Sequence, residues 1–144
     1  MIALGCDSAG FALMQSIKSH LDRRGIVYKD FGTYSDEPVD YPIYGEKVAV
    51  AVLDGTCERG IVICGTGIGI SIAANRFLAV RCALCHDVFS AKSTRLHNDS
   101  NVLAMGGRVI GVGLACEIVD AWLDTPFSDE ERHKRRVDML GELQ

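Results

Sequence analysis

The sequence predicts an α/β fold, a three-layer, doubly wound (Rossmann-like) sheet of five parallel strands with an additional C-terminal helix. Apolar runs of strand length alternate with segments of helical period along the chain, which is typical of βαβ units. One run, residues 61–64, is apolar throughout, as expected of a central strand covered on both faces. A charged segment after Pro126 departs from the pattern. At 144 residues, one domain over 1–144 is expected.

The elements follow in order. The first strand is predicted at residues 2–6 and the first helix at 10–24, where apolar side chains recur at helical spacing and Gly25 follows as the C′ residue. Further strands are predicted at 26–31, 61–64, 80–85 and 101–104. Further helices are predicted at 43–54, from the glycine-rich loop to 76, and at 89–96, 111–123 and 129–143. Ligands in such sheets collect at the carboxyl ends of the strands.

Composition excludes some classes of function. A net charge of −4 argues against non-specific nucleic-acid binding, which needs a basic surface. The first residues carry no basic leader, and no apolar run approaches the ~18 residues of a membrane span, so a cytoplasmic protein without a membrane partner is expected. The six cysteines are predicted to be reduced and, with one exception, buried.

That exception is Cys64, which ends the third predicted strand and begins the segment Cys64-Gly-Thr-Gly-Ile-Gly. Alternate glycines let several backbone N–H groups point into one concavity, which is a ready anion site. A thiol at the mouth of this loop feels the positive end of the following helix, which favours the thiolate. Cys64 is therefore a candidate base or nucleophile. The alternative is a cysteine that merely ends a core strand.

Other polar residues are candidates with equally plain alternatives. Asp7 and Ser8 follow the first strand, which can neighbour the third at the switch point, but either could be an ordinary N-cap. The run His97-Asn98-Asp99 could be only a helix cap and turn. Arg108 follows the fifth strand and can meet an anion there. The basic run 132–136 could be a solvated helix face.

Three motif-based interpretations are set aside: covalent haem, a zinc site and dinucleotide binding. Cys82-Ala-Leu-Cys85-His86 matches the covalent haem pattern, but it lies across a predicted buried strand, so haem is not expected. No second Cys or His pair has zinc-site spacing. The loop after the first strand also lacks the dinucleotide fingerprint.

Taken together, the motifs resemble those of the ribose-5-phosphate isomerase B family, which includes the galactose-6-phosphate isomerase subunits. The match covers nearly the whole chain. It consists of Gly5-Cys6-Asp7-x-Ala9-Gly10-Phe11, Asp40-Tyr41-Pro42, the run from Cys64 to Asn75, Arg95-x-His97-Asn98-Asp99-x-Asn101, and Arg132-His133-x-x-Arg136-Val137.

The resemblance implies roles for these residues. Cys64 would transfer the proton, His97 would assist opening of the sugar ring, and Thr66 would join them in the catalytic set. Residues 65–69 would hold the enediolate oxygens, and three arginines would receive the phosphate. The substrate-binding residues implied are Asp7, Ser8, Tyr41, Gly65, Gly67, Ile68, Gly69, Asn98, Arg108, Arg132, His133 and Arg136, with the arginines at 108, 132 and 136 on the phosphate. No cofactor or metal is implied, because preorganised donors can stabilise an enediolate.

The expected function is interconversion of ribose 5-phosphate and ribulose 5-phosphate. Ser8 stands where the family commonly has histidine, which leaves open a hexose phosphate (allose 6-phosphate or galactose 6-phosphate). A non-catalytic sugar-phosphate sensor is the alternative of another class. Helices here run antiparallel to strands, so His97 should lie at the opposite edge from Cys64. We therefore expect a homodimer with composite active sites, possibly paired into a tetramer.

Overall fold

The computed structural model describes residues 1–143. The strands of this part of the chain are β1 (Ile2–Cys6), β2 (Tyr28–Asp30), β3 (Arg59–Cys64), β4 (Cys82–Leu84) and β5 (Val102–Gly106). The helices are α1 (Phe11–Arg23), α2 (Tyr41–Leu53), α3 (Ile68–Ala74), α4 (Val88–Asn98), α5 (Val112–Asp124) and α6 (Glu131–Glu142).

The five strands form one parallel sheet in the order β2-β1-β3-β5-β4. The chain leaves β1 for β2 on one side and then places β3 on the other side of β1, so the topological switch point lies between β1 and β3. The backbone N–H of Asp7 donates to the carbonyl of Ile63 at 3.2 Å, which joins the ends of these two strands. The predicted doubly wound architecture is confirmed.

Alternation along β3 shows how the layers are built. Ile61 and Ile63 pack into a core with α1 and α5, while Val62 and Cys64 pack into a second core with α2 and α3. All four side chains are buried. Successive strand residues point to opposite faces, so the reactive candidate Cys64 belongs to the layer that contains α2 and α3.

Several predicted boundaries were wrong by a few residues. Helix α2 begins at Tyr41 rather than at residue 43, because Pro42 in a first turn loses no hydrogen bond. The predicted strands at 26–31 and 80–85 shrink to three residues each at the sheet edges. Ile26 still donates to Leu21 at the end of α1, and Val80 donates to Phe77 in a turn. Strand β5 continues to Gly106 rather than ending at residue 104.

Within residues 1–143, no helix has both the length and the apolar character needed to cross a membrane.

Candidate active site

Cys64 ends β3 with its sulfur held in a fixed position. Its side chain is buried, and the backbone N–H of Gly67 donates to Sγ at 3.2 Å. The Cys64 carbonyl accepts from the N–H of Gly107, which follows β5, at 2.8 Å. An N–H group aimed at sulfur stabilises negative charge there. The arrangement can therefore hold a thiolate at the carboxyl edge of the sheet.

The other five cysteines lie in environments that favour the neutral thiol. Burial raises the pKa of the Cys6 thiol to about 12 and that of Cys85 to about 11. The pKa values of Cys57, Cys82 and Cys116 are also raised by burial. All six thiols are unpaired. Nothing in this set competes with Cys64 for the role of a reactive thiolate.

Close backbone packing shapes residues 64–69, which we call the Cys64 loop. Gly67 has φ +76°, and a Cβ there would lie 2.7 Å from the Met105 carbonyl carbon. A Cβ at Gly106 would lie 2.7 Å from the Thr66 carbonyl carbon. Only glycine satisfies both the left-handed conformation and the close approach. The end of β5 therefore acts as a rigid backing for the loop.

The donors of this loop are its own N–H groups. The N–H of Ile68 donates to Thr66 Oγ1 at 3.2 Å, and the N–H of Gly67 donates to Cys64 Sγ. Helix α3 has only seven residues, so its dipole contributes less than the sequence suggested. Thr66 and Ile68 are exposed, and Gly65 and Gly69 are half-buried, so the outer side of the loop is open to a ligand.

Other predicted site residues surround the Cys64 loop. The Tyr41 ring, at the start of α2, lies where a Gly69 Cβ would be. Arg108 is exposed, and its Cδ lies 3.5 Å from the Cβ position of Gly65. The backbone N–H of Arg108 also donates to the Gly65 carbonyl at 2.9 Å. An aromatic hydroxyl and a guanidinium therefore flank the loop.

Asp7 and Ser8 adjoin the same edge. Asp7 Oδ1 accepts the N–H of Gly10 at 2.9 Å, so this carboxylate closes the turn before α1. Gly10, not Asp7 or Ser8, is the N-cap residue, so the N-cap alternative was wrong in its position. Both side chains are half-buried. The remaining Asp7 oxygen and the Ser8 hydroxyl are groups that could contact a sugar.

The other predicted site residues form a second group, the His97 cluster, made of His97, Arg132, His133 and Arg136. The rings of His97 and His133 lie 4.5 Å apart between centroids. Arg132 Nε donates to His133 Nε2 at 3.3 Å, and Arg132 also pairs with Glu130. His133 is buried, whereas the other three are exposed. The cluster presents cationic side chains on the surface formed by α4 and α6.

The two groups lie at opposite edges of the sheet. Cys64 pairs in register with Gly106, the last residue of β5. His97 is near the end of α4, five residues before Val102, the first residue of β5. Five strand residues span about 15 Å, so the sheet separates the two groups by roughly that length. Within residues 1–143, this chain alone does not bring His97 to Cys64.

Asn98 borders a cavity rather than the Cys64 loop. This cavity of about 740 Å³ lies between residues 75–83, the end of α4 and the end of α6. Its lining includes Arg81, Ser100 and Leu140, but not Cys64 or His97. The position of Asn98 at the end of α4 makes it a companion of His97.

His86 supports the site and was missed in the sequence. Its Nε2 accepts the N–H of Gly106 at 3.0 Å, on the strand end that backs the Cys64 loop. The motif Cys82-x-x-Cys85-His86 was considered only as a haem signature. The position of His86 directly after a strand was the signal that could have found it.

The chain matches the model of the family described as Ribose/Galactose Isomerase over residues 2–140. The chain belongs to this family. It is 49% identical over 143 residues to ribose-5-phosphate isomerase B of Escherichia coli, covering 99% of this chain and 95% of that protein. It is 45% identical over 130 residues to D-erythrulose-4-phosphate isomerase of Pectobacterium atrosepticum, covering 88% and 84%.

Solved structures agree with this membership. The structure of ribose-5-phosphate isomerase B of Clostridium thermocellum superposes with a TM-score of 0.96 at 50% identity, covering 98% of this chain and 95% of that one. The family's description and these relatives establish the protein as an isomerase that acts on sugar phosphates.

Proposed function

We propose that the protein interconverts ribose 5-phosphate and ribulose 5-phosphate, with Cys64 as the base. The Cys64 thiolate takes the proton from C2 of the open-chain aldose and returns it to C1, while a hydroxyl proton moves from O2 to O1. The intermediate enediolate carries negative charge on oxygen. The hydrogen bond from Gly67 to Cys64 Sγ is the observation that carries this proposal.

The chemistry fits the Cys64 loop. An enediolate needs donors placed in advance where its charge develops. The N–H groups of Gly67 and Ile68 already bond within the loop, so the other backbone N–H groups of residues 65–69 would serve as these donors. Arg108 lies beside the loop, where it can attract an anionic substrate. These features favour catalysis over a sugar-phosphate sensor, because binding alone gives no reason to hold a donor against a buried sulfur.

A second subunit completes the site in this proposal. Ring opening needs an acid or base near the ring oxygen, and His97 lies about one strand length from Cys64 in its own chain. A homodimer would bring the His97 cluster of one protomer to the Cys64 loop of the other. Ile68, Ile72, Leu84 and Phe89 are exposed near this edge of the sheet and would be covered. Arg132 and Arg136 would then receive the phosphate.

The substrate is tested with purified protein in EDTA. Ribose 5-phosphate, allose 6-phosphate, galactose 6-phosphate and D-erythrulose 4-phosphate are compared. We expect the highest kcat/KM with ribose 5-phosphate. A higher kcat/KM with another sugar would leave the mechanism unchanged and would assign the changed substrate preference first to Ser8. The variant Ser8→His would test this assignment, since it should move the preference toward ribose 5-phosphate. Binding without turnover of any of these sugars would favour the sensor.

The base is tested by Cys64→Ala. We expect kcat to fall about 10³-fold or more, because general base catalysis contributes up to about four orders of magnitude. Cys116→Ala is the matched control, since Cys116 is a half-buried thiol on α5, away from the loop. Retention of activity in Cys64→Ala would exclude the thiolate mechanism.

The composite site is tested by mixing subunits. Cys64→Ala and His97→Ala chains, inactive alone, should regain about a quarter of the wild-type activity after exchange, because about half of all dimers are then mixed and each mixed dimer has one intact site of two. No recovery after verified exchange would mean that both groups act from the same chain.

A further inference from the structure

The end of α4 is held by a clamp of Asp99, Arg81 and Arg95. Arg95 Nη1 donates to Asp99 Oδ1 at 2.9 Å, and Arg81 Nη2 lies 3.6 Å from Asp99 Oδ2. The two carboxylate oxygens therefore face two different guanidinium groups. Asp99 is only part-exposed, and Arg95 is buried.

Each arginine also fixes a separate piece of backbone. Arg81 Nε donates to the carbonyls of Asn98 and Asp99 at 3.1 and 3.0 Å, which satisfies groups that a helix end leaves unpaired. Arg95 donates to the carbonyls of Ser100 and Thr125 at 2.6 and 3.1 Å. The clamp thus ties the end of α4 to the turn before β4 and to the end of α5.

Charge makes Asp99 the centre of this clamp. A third cation, Arg59, lies nearby: burial and the charge of Arg95 lower its pKa, whereas the carboxylates of Glu58 and Asp99 raise it. Asp99 is the carboxylate that contacts both Arg81 and Arg95, so its removal leaves these two like charges facing one another. Asp99 also has φ +45°, a left-handed conformation that turns the chain out of α4.

Few contacts fix the side chain of His97. Its side chain is exposed, and no hydrogen bond to its ring occurs within residues 1–143; its described contact is the His133 ring. The direction in which α4 presents His97 and Asn98 is therefore set by the backbone at the helix end, and the clamp sets that backbone.

We propose that Asp99 is a positioning residue: by bridging Arg81 and Arg95 it fixes the end of α4, so that His97 and Asn98 meet the sugar. This inference rests on the proposed function for its kinetic consequence, but its structural part does not. Asp99, Arg81 and Arg95 act through His97 rather than on the substrate.

The test uses Asp99→Gly and Asp99→Asn in the full chain. Glycine accepts φ +45° without strain, so it keeps the turn and removes the clamp. Asparagine also tolerates this conformation and keeps one acceptor oxygen. The chain has only four histidines, so their ring signals can be followed individually by NMR. This readout does not depend on activity.

In Asp99→Gly we expect the His97 and His133 ring signals to move and the NOE between the two rings to weaken, while the His20 and His86 signals stay in place. With ribose 5-phosphate, kcat/KM should fall about tenfold, and Asp99→Asn should recover most of this loss. Arg81→Met should move the same two signals and serves as the second variant.

Two results would overturn the proposal. One is unchanged His97 signals in both Asp99→Gly and Arg81→Met. The other is an equal change at all four histidines, which would mean general loosening of the fold. If wild-type protein does not isomerise ribose 5-phosphate, the proposed function fails while the NMR result still decides the clamp.

Discussion

The Cys64 loop and the His97 cluster are built in opposite ways. In the loop, backbone packs on backbone: glycines at 67 and 106 let two segments approach closely, and main-chain N–H groups provide the donors. In the cluster, the candidate groups are side chains on two helices, and three of the four are exposed. The loop is fixed by sterics, whereas the cluster is fixed by charges and by the clamp at Asp99.

This difference suits the two tasks that we propose for these regions. Proton transfer at carbon requires donors held within a few tenths of an ångström, which a rigid backbone gives. Capture of a phosphate requires long, mobile cations that form charge-assisted hydrogen bonds. We therefore expect the loop to respond sharply to the addition of one methyl group, and the cluster to respond gradually to the loss of one charge.

Among the changes that test this contrast, the largest effect is expected for Gly67→Ala. The new Cβ would lie 2.7 Å from the Met105 carbonyl carbon, in a backbone with φ +76°. Such strain costs about 1–3 kcal/mol, and relief requires the loop to move away from Cys64 Sγ. We expect kcat to fall about 10²-fold and the free energy of unfolding to fall by about 2 kcal/mol, measured by kinetics and urea unfolding.

The matched control is Gly113→Ala. Gly113 lies in the first turn of α5, and a Cβ there meets no atom within 4 Å. Alanine should leave kcat unchanged and raise the free energy of unfolding by about 0.5–1 kcal/mol, as expected for a helix. Wild-type activity in Gly67→Ala would show that the loop is not rigid and would remove the contrast.

A smaller effect is expected for Arg136→Ala. Arg136 is exposed in the His97 cluster, so its loss should weaken binding of the phosphate without disturbing the Cys64 loop. We expect KM for ribose 5-phosphate to rise about tenfold with kcat little changed, and the difference to shrink at high ionic strength. The neighbouring Arg135→Ala, which points about 100° away on α6, should stay within about twofold of wild type. Equal effects of the two would mean that only net charge matters.

The contrast also explains what the sequence could predict. Strand β3 was predictable because a strand that is apolar on both faces is buried on both faces, as at the centre of a parallel sheet. The edge strands β2 and β4 were overestimated because edge pairing depends on neighbours that local patterning does not encode. Pro42 was placed before its helix, although a first turn accepts proline without loss.

Site residues divide in the same way. Alternating glycines alone match many tight turns between a strand and a helix, so the prediction of the Cys64 loop depended on the cysteine that directly precedes them. The proximity of His97 and His133 could not be derived from local pattern, because it depends on how α6 packs on α4. His86 and the contact of Arg81 with Asp99 were missed for the same reason: the partners lie some 20 residues apart in the chain. The pair of Arg95 and Asp99 has i, i+4 spacing, which is a local signal that was overlooked.

The smallest effect concerns pH and His133. Its pKa is lowered by burial and by the positive charges of His97 and Arg132. Arg132 Nε donates to His133 Nε2, so the neutral ring carries its proton on Nδ1, towards Ser128, and protonation would break the contact with Arg132.

Because the folded pKa lies below the unfolded value of about 6.5, the unfolded chain binds this proton first as pH falls. The stabilisation is thus fully present above pH ~6.5 and is lost as pH drops below it. In His133→Gln, which cannot titrate, the urea midpoint should decrease less between pH 7.5 and 5.5 than in wild type. An identical decrease in both proteins would show that His133 is not held neutral by the fold, and that the cluster is looser than its geometry implies.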